Sequence, residues 1–553
     1  MPWTLYRYIL SELLKLLGLT TVVMVVVMSF AAAFQPMSDG LLTPAMFVKF
    51  VIFTAPTVLG LALPFAGAFA STLTFLRLSN DNEVTACLAS GISYRRLLAP
   101  VLGLGLVLTV CLLLLANHVV PRFFKMAERT ATRDVVGLMA GQLANHEPFV
   151  ARGANSGGKQ SFVIYADQTI QHPPPVLQNT PLPLTQLVEL RGVAVGEVNE
   201  ENEITHDTTA ERAQLMVFED DRTMDAWIKL RLDDVTRHDI GYVKSLRTRM
   251  IRVPSQFADD PSFFSSAQLA GLQKQPEHYD RVRKKMDGLA AALATESVRN
   301  ALAVTRERAV LEGVLEARYV LQASTVENDG SGALQLGGGV KVSYFATGDT
   351  SGPPDRLYIA PRAEVHVSTN RFDPEPAIDL TLFEVTVHGS EEDDAPAVGE
   401  ASLTLRELSW PSKIVSNDLA NQDVSQLLAK AAEPTFTASA GVMGGVDALQ
   451  GAVKKLKRSI VAERNRRAAS SVSCALLILV GAVLSIHLRG QTPLTVYFWS
   501  FLLAIVTLIV VSTGVNITRG TDTPLAVGLG VLWSGNAMLT GVIAVLYFKI
   551  VRH

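Results

Sequence analysis

Six stretches of this chain contain no Asp, Glu, Lys or Arg: 16–35, 50–76, 97–121, 468–486, 490–515 and 523–548. A helix rising about 1.5 Å per residue needs roughly 20 apolar residues to cover about 30 Å of hydrocarbon, and each stretch meets that length or comes close. One central charge would cost about 2.5–3.5 kcal/mol, so six charge-free windows predict six transmembrane helices, three on each side of a long polar block. Pro56, Pro64, Gly103 and Gly528 fall inside them, as packed membrane helices allow. Ala31, Ala32 and Ala33 resemble a signal-peptide cleavage site. The preceding apolar run nevertheless exceeds the usual h-region of about 7–15 residues and further spans follow, so the first window reads as an uncleaved anchor.

Between the third and fourth windows the period changes. Residues 148–252 read as strands, with alternation clearest over 226–233, where the even positions are apolar and most odd ones polar. A second strand-rich stretch covers about 314–410; over 378–387 its apolar phase slips at Leu382 and Phe383, which predicts a β-bulge. Helical spacing occupies about 263–313, with Val282, Met286, Leu289 and Leu293 on one face, and returns at 415–431 and 446–467. The expected organisation is therefore residues 1–121 with spans one to three, 122–467 as a β-rich domain with a helical insertion, and 468–553 with spans four to six.

Charge sharpens this picture. Hydrophobic residues make up 48% and charged residues 18% of the 553, with mean hydropathy +0.26. Residues 121–467 hold 39 of the 49 Lys and Arg and 47 of the 52 Asp and Glu, a net −8; the remainder carries +5. A wholly soluble enzyme, a disordered chain and a basic nucleic-acid binder are excluded as readings. Short-loop bases set the orientation: Arg7, Lys15, Arg77, Arg95, Arg96, Arg489, Lys549 and Arg552 share one side. Both termini are thus expected to be cytoplasmic and the large block to be exported. Cys87, Cys111 and Cys474 all lie outside that block, which is large enough to rely on its own core rather than on disulfides.

Catalytic signatures are weak. Gly153, Gly158 and Lys159 fit G-x-x-x-x-G-K, but Gln160 stands where a hydroxyl residue would bind magnesium, and Phe162–Tyr165 reads as strand rather than helix. A hairpin turn accounts for it better. The ten histidines form no metal-ligand pattern, and no nucleophile elbow occurs.

The segment between spans two and three carries more information. Asn80 or Asp81 can cap a short helix, with Glu83 as the capping-box acid if Asn80 is the cap. Gly91 suits a left-handed terminator, and Ser93 can cap the next turn towards Pro100. A bland connector has the same features. The sharper reading is a coupling helix at 81–92 that docks into a soluble partner, with Glu83 reaching a base there.

That segment resembles the LptF/LptG permeases of lipopolysaccharide export. Their pattern of acids, a small residue, Ala-Ser-Gly-Ile-Ser, bases and a proline is met by Asp81, Glu83, Ala86, Ala89–Ser93, Arg95, Arg96 and Pro100. Leu5–Glu12, Asn117–Pro121, Glu463 with Arg466 and Arg467, Gly481, and Trp533 with Asn536 extend the likeness over all six spans. The resemblance implies a jelly-roll periplasmic domain and a Gram-negative-type inner membrane. It also implies pairing with a paralogous LptF/LptG subunit, a cytoplasmic LptB-like ABC ATPase that binds the ATP and magnesium, and an LptC/LptA-like bridge. Spans one and five would line a gate for lipopolysaccharide or a related glycolipid. Asp81, Glu83, Ala86, Gly91, Tyr94 and Arg95 would form the ATPase-coupling surface. Two features depart from the pattern: the exported block is oversized, and span four begins Ala468-Ala469-Ser470 where the family commonly has a proline.

A lipid with phosphorylated sugars needs bases near the outer interface; Lys49, Arg122, Lys125, Arg464, Arg466 and Arg467 are the candidates. Juxtamembrane bases also simply anchor helix ends. The expected function is a permease subunit with no cofactor of its own. Its alternatives are an ATPase-linked signalling subunit that moves no lipid, which the oversized block motivates, and a structural anchor for a β domain.

Overall fold

The computed structural model describes residues 3–38, 44–123, 142–143, 148–152, 161–174, 182–198, 204–219, 226–237, 241–247, 251–253, 260–305, 308–313, 317–328, 333–369, 376–389, 398–410, 419 and 422–552. The glycine-rich turn at 153–159 and Lys125 lie outside them. The chain divides into two units: Met1–Val136 with Asp260–Lys274 and Lys454–His553, and Gly137–Asp259 with Gln275–Val453.

The first unit is helical. Its elements are α1 (Trp3–Ser38), α2 (Pro44–Asn80), the short α3 (Glu83–Ala89), α4 (Tyr94–Leu114), α5 (Ser266–Lys274), the membrane part of α8 (Ala440–His487), α9 (Pro493–Arg519) and α10 (Leu525–Arg552). Six helices are long and apolar enough to cross a membrane. They are apolar nearly all round, as lipid-facing helices must be when both their packed and outer faces lie in hydrocarbon. One buried cluster joins Ile9 and Leu13 of α1, Phe75 of α2, Leu97 and Val101 of α4, and Cys474 and Ile478 of α8. After Leu114 the helix widens into a π-helical turn, Leu115–Val119, a device often found where a side chain must be re-aimed.

Between helices the contacts are made by small residues and hydroxyls, which let backbones approach. Ser485 of α8 donates to the Thr72 carbonyl of α2 at 3.0 Å, and the Thr72 hydroxyl lies 3.0 Å from that of Ser500 on α9. The Gly481 hydrogen faces this seam: a Cβ there would lie 2.7 Å from the Ala68 carbonyl oxygen. On α10, Trp533 Nε1 donates to Asn465 Oδ1 at 3.1 Å, and Asn536 Nδ2 donates to the Ala469 carbonyl at 3.0 Å.

The second unit holds two curled, wholly antiparallel sheets of jelly-roll type. The first comprises β1 (Phe149–Arg152), β2 (Ser161–His172), β3 (Leu184–Val198), β4 (Ile204–Glu219), β5 (Ala226–Arg237) and β6 (Gly241–Arg247) in sequence order, with β7 (Ile251–Val253) also on β5. This meander is what consecutive hairpins produce. Trp227 is buried there with Leu182 and Phe218.

The second sheet is built from β8 (Ala309–Glu312), β9 (Arg318–Gln322), β10 (Thr325–Asn328), β11 (Ala333–Gly337), β12 (Val340–Phe345), β13 (Arg356–Ala360), β14 (Arg362–Ser368), β15 (Ala377–His388) and β16 (Val398–Leu408). β15 pairs along one edge with β16, while its other edge pairs first with β14 and then with β13. The switch falls at Glu384, whose φ is 53°. Burial follows Ile378, Leu380 and Leu382, then jumps phase to Val385. The register of β15 is unchanged across this point on both edges, so the β-bulge expected at Leu382 and Phe383 is not formed. The left-handed Glu384 changes the burial phase without an extra residue, and the register shift against β16 lies earlier, between Ile378 and Leu380.

Between the sheets the chain forms α5 and then α6 (Asp280–Val304). Val282, Met286, Leu289 and Leu293 of α6 are buried on the face that meets β10, β11 and β14. α7 (Val424–Ala431) opens with a capping box between Asp423 and Gln426, which satisfies two otherwise orphaned amides. Helix formation in the basic 446–467 region belongs to the single uninterrupted α8; Ala, Lys, Arg and Glu there are strong helix formers with no breaker before the span.

Candidate functional site

Two clusters of polar groups lie in the helical unit. The first surrounds α3, a helix of seven residues, too short to persist alone. Asn82 precedes it in the left-handed conformation, φ 60°, without a side-chain cap to its own helix. The capping-box arrangement expected from Asn80 and Glu83 is not formed. Gly91, at φ 81°, terminates the segment as expected, the Gly91 amide donating to the Leu88 carbonyl at 3.0 Å.

Ties to neighbouring elements hold α3 in place. Val84 is buried in the helical core. Arg489, in the turn after α8, donates Nη1 to Thr85 Oγ1 at 2.6 Å and Nη2 to Asn82 Oδ1. Tyr8 OH makes a long 3.5 Å contact with Glu83 Oε1. Arg77 Nη1 pairs with Glu12 Oε1 at 2.7 Å, while its Nε lies 3.7 Å from Asp81. Arg95 Nε donates to Tyr547 OH at 3.3 Å. The N-terminal helix, the 77–95 segment, the Arg489 turn and the end of α10 thus meet at one end of the bundle.

The coupling candidates share that end. Asp81, Ala86, Gly91 and Arg95 are exposed, and Glu83 and Tyr94 are half-buried, Tyr94 packing against the helical core. The carboxylate of Glu83 is thereby held at the rim of α3. Cys87 on the same helix has its thiol pushed up by burial, with the Glu83 charge adding to the effect.

The second cluster lies along α8, 22 residues before Arg489 at its nearest member, Arg467; at about 1.5 Å per residue that is about 33 Å along the chain axis. Glu463 is completely buried. Arg466 straddles both its oxygens, Nε and Nη2 each at 2.7 Å, and Arg467 Nε donates to Oε1 at 2.8 Å. Arg467, 4% exposed, also donates Nη1 to Asn117 Oδ1 at 3.1 Å and Nη2 to the Ser262 and Phe264 carbonyls at 3.0 and 2.7 Å. The π-helical turn explains how Asn117 comes to face it.

Arg519 Nη2 completes the cluster, 3.4 Å from Asp260 and 3.8 Å from Glu463. Burial pushes the Asp260 carboxyl up, but hydrogen bonds from Ser262 and the Arg519 charge outweigh it and leave it below the usual range. Three guanidinium groups face two carboxylates, so the cluster carries one net positive charge. Nearby, Arg458 caps the end of α9 by donating to the carbonyls of Thr518, Thr521 and Thr523, a favourable place for a cation.

A cavity of about 380 Å³ reaches this cluster. Leu61, Pro64 and Phe65 of α2, Leu112, Leu115 and Val120, Leu477 of α8, and Leu508 and Val511 of α9 form its apolar wall; Arg466, Arg467, Ser470 and Ser471 form its polar end. Of the bases considered for lipid phosphate, Arg466 and Arg467 line it among the described residues. Arg122 and Arg464 are exposed, Lys49 sits on α2 with its side chain outside the described residues, and Lys125 lies outside them altogether.

Sequence reasoning did not single out Arg489, Tyr8 or Arg519 as site residues. Their only signal was position: a base in a short loop, an aromatic near a span end. No group of His, Cys, Asp or Glu suited to a metal occurs among the described residues.

Six helices long and apolar enough to cross a membrane, three before and three after a jelly-roll-type β domain in the chain, define a multi-pass membrane protein. The family described as lipopolysaccharide export system permease LptF/LptG matches residues 7–549, and the chain belongs to it. Comparison with curated proteins finds no match.

Proposed function

We propose that this chain is the membrane-embedded half of an ATP-driven glycolipid exporter, extracting lipopolysaccharide or a related lipid from the inner membrane and handing it to a periplasmic bridge. The observation that carries the reading is the family match over residues 7–549. In this reading the end bearing α3 is cytoplasmic, both termini included, and the β domain is periplasmic. An LptB-like ATPase docks on α3, a paralogous LptF/LptG subunit completes the transport path, and an LptC/LptA-like bridge receives the lipid.

The geometry supports a division of labour. Glu83, half-buried at the rim of α3, makes one long contact to Tyr8 among the described residues and lies within electrostatic reach of Arg77; a charge-assisted bond from a partner's cation would be stronger than a neutral one. ATP and magnesium belong to the partner. Closure of the ATPase would push α3 and move α2 and α4, which flank it in the chain. The apolar cavity with Arg466 at its polar end has the chemistry for an acyl chain and an anionic head group, because a membrane-buried base is tolerated when it faces the bundle interior.

The test is Glu83→Arg in the full-length chain. The expected result is a folded protein, judged by thermal unfolding in detergent, that no longer recovers the cytoplasmic ATPase and no longer releases lipid. Normal ATPase recovery and transport by that variant would remove α3 from the docking site.

A further inference from the structure

An exposed arginine usually contributes little by its hydrogen bonds, but the placement of Arg489 is unusual. It stands in the turn between α8 and α9, whose path is set by Gly490 at φ 86° and closed by the Gln491 amide donating to the Leu488 carbonyl at 3.1 Å. From there one guanidinium fork reaches two side chains of α3, Asn82 and Thr85. These residues bracket Glu83. Each is also diverted from a local role: Asn82 precedes the helix yet makes no side-chain cap to it, and the Thr85 hydroxyl accepts from Arg489.

Behind the turn, α8 is anchored to the rest of the bundle. Ser485 is bonded to the Thr72 carbonyl, and Thr72 meets Ser500, all three buried. The chain itself joins α3 only to α2 and α4. Beside the packing of Val84 and the long Tyr8 contact, Arg489 adds a polar attachment to the start of α9 and the end of α8, through a planar fork that fixes direction as well as distance.

We propose that Arg489 is a positioning residue of the transport cycle: it latches α3 to the turn between spans four and five, so that displacement of α3 moves those spans together with spans two and three. This rests on α3 being the ATPase-docking element. Arg489 need not touch the ATPase or the lipid. Its loss uncouples hydrolysis from lipid movement without releasing the ATPase.

The experiment uses the full-length chain in its complex with the ATPase, reconstituted in vesicles carrying lipopolysaccharide, and reads ATPase recovery, ATP hydrolysis and lipid released per ATP. Arg489→Ala is expected to keep ATPase recovery and to lower lipid per ATP by about fivefold, the low end of coupling between sites. Arg489→Lys, a point charge that cannot fork, is expected to fall between Arg489→Ala and the parent. Should Arg489→Ala fold poorly, Asn82→Ala with Thr85→Val removes the same bonds from the other side and is expected to lower lipid per ATP alike. Combining all three substitutions should add nothing further. Unchanged lipid per ATP, a parallel loss of ATPase recovery, or additive losses would overturn the latch. If Glu83→Arg also retains ATPase recovery, it is the docking reading that fails; if Glu83→Arg loses it while Arg489→Ala behaves as the parent, only the latch fails.

Discussion

Glu463 has no contact with water, and two arginines three and four residues on hold all its charge in place. A buried pair is no proof of stability, because desolvation offsets much of the attraction. Removing one member is another matter, since it strands the other. Glu463→Gln keeps the shape but leaves Arg466 and Arg467 facing each other without their shared carboxylate, and the expected loss is about 3–5 kcal/mol, read as a lowered midpoint of thermal unfolding in detergent. Arg464→Gln, on an exposed face of the same helix, should move the midpoint little. Here the limit of the sequence is plain. Arg464, Arg466 and Arg467 are indistinguishable as juxtamembrane bases, and only folding shows that Arg467 is spent on Glu463, Asn117 and two carbonyls while Arg464 stays outside. Asn117 reaches Arg467 through a π-helical turn that no periodicity in Leu115–Val119 announces.

The spans were legible because charge is so costly in hydrocarbon that its absence over 20 residues is a strong signal. The change of phase in β15 was legible for a similar reason, because side chains alternate with period two, but its cause was not: the left-handed Glu384 produces it without an extra residue, and the register shift lies at Ile378 and Leu380. Caps were less so. Asn80, Asp81 and Asn82 are all competent N-caps, and the choice among them depends on where Arg489 lies, a residue about 400 positions away in sequence. Close approach between helices was equally hidden. Gly481 reads as one small residue among many, yet it sits where α8 meets α2, with the Ala68 carbonyl and the Ser71 and Thr72 hydroxyls around it. Gly481→Leu should force the two helices apart and cost about 1–3 kcal/mol. Gly103→Leu, with nothing near the added Cβ, should be tolerated. The comparison is a thermal unfolding series in one detergent.

Orientation decides whether these parts form one machine. Bases cluster in the N-terminal helix, the 77–95 segment, the Arg489 turn and the C-terminal helix, and contacts such as Arg489 to Asn82 and Arg95 to Tyr547 bring those four segments to a common end. Three spans lie between that end and the β-rich unit on the N-terminal side and three on the other, so an odd number of crossings separates them along either route. If the bases are cytoplasmic, the sheets must be exported. Tyr242→Cys, at an exposed position of β6, should therefore react with a membrane-impermeant maleimide in intact spheroplasts, whereas Arg552→Cys should react only in inverted vesicles. The native thiols interfere little: Cys474 is buried, Cys111 lies within the third span, and the Cys87 thiol is pushed up by burial, leaving less of the reactive thiolate at neutral pH. Labelling of both introduced cysteines from the same side would break the mechanical argument at its root, because a partner at α3 and a lipid bridge at the β domain would then compete for one compartment, and no nucleotide-driven movement could carry lipid from one to the other.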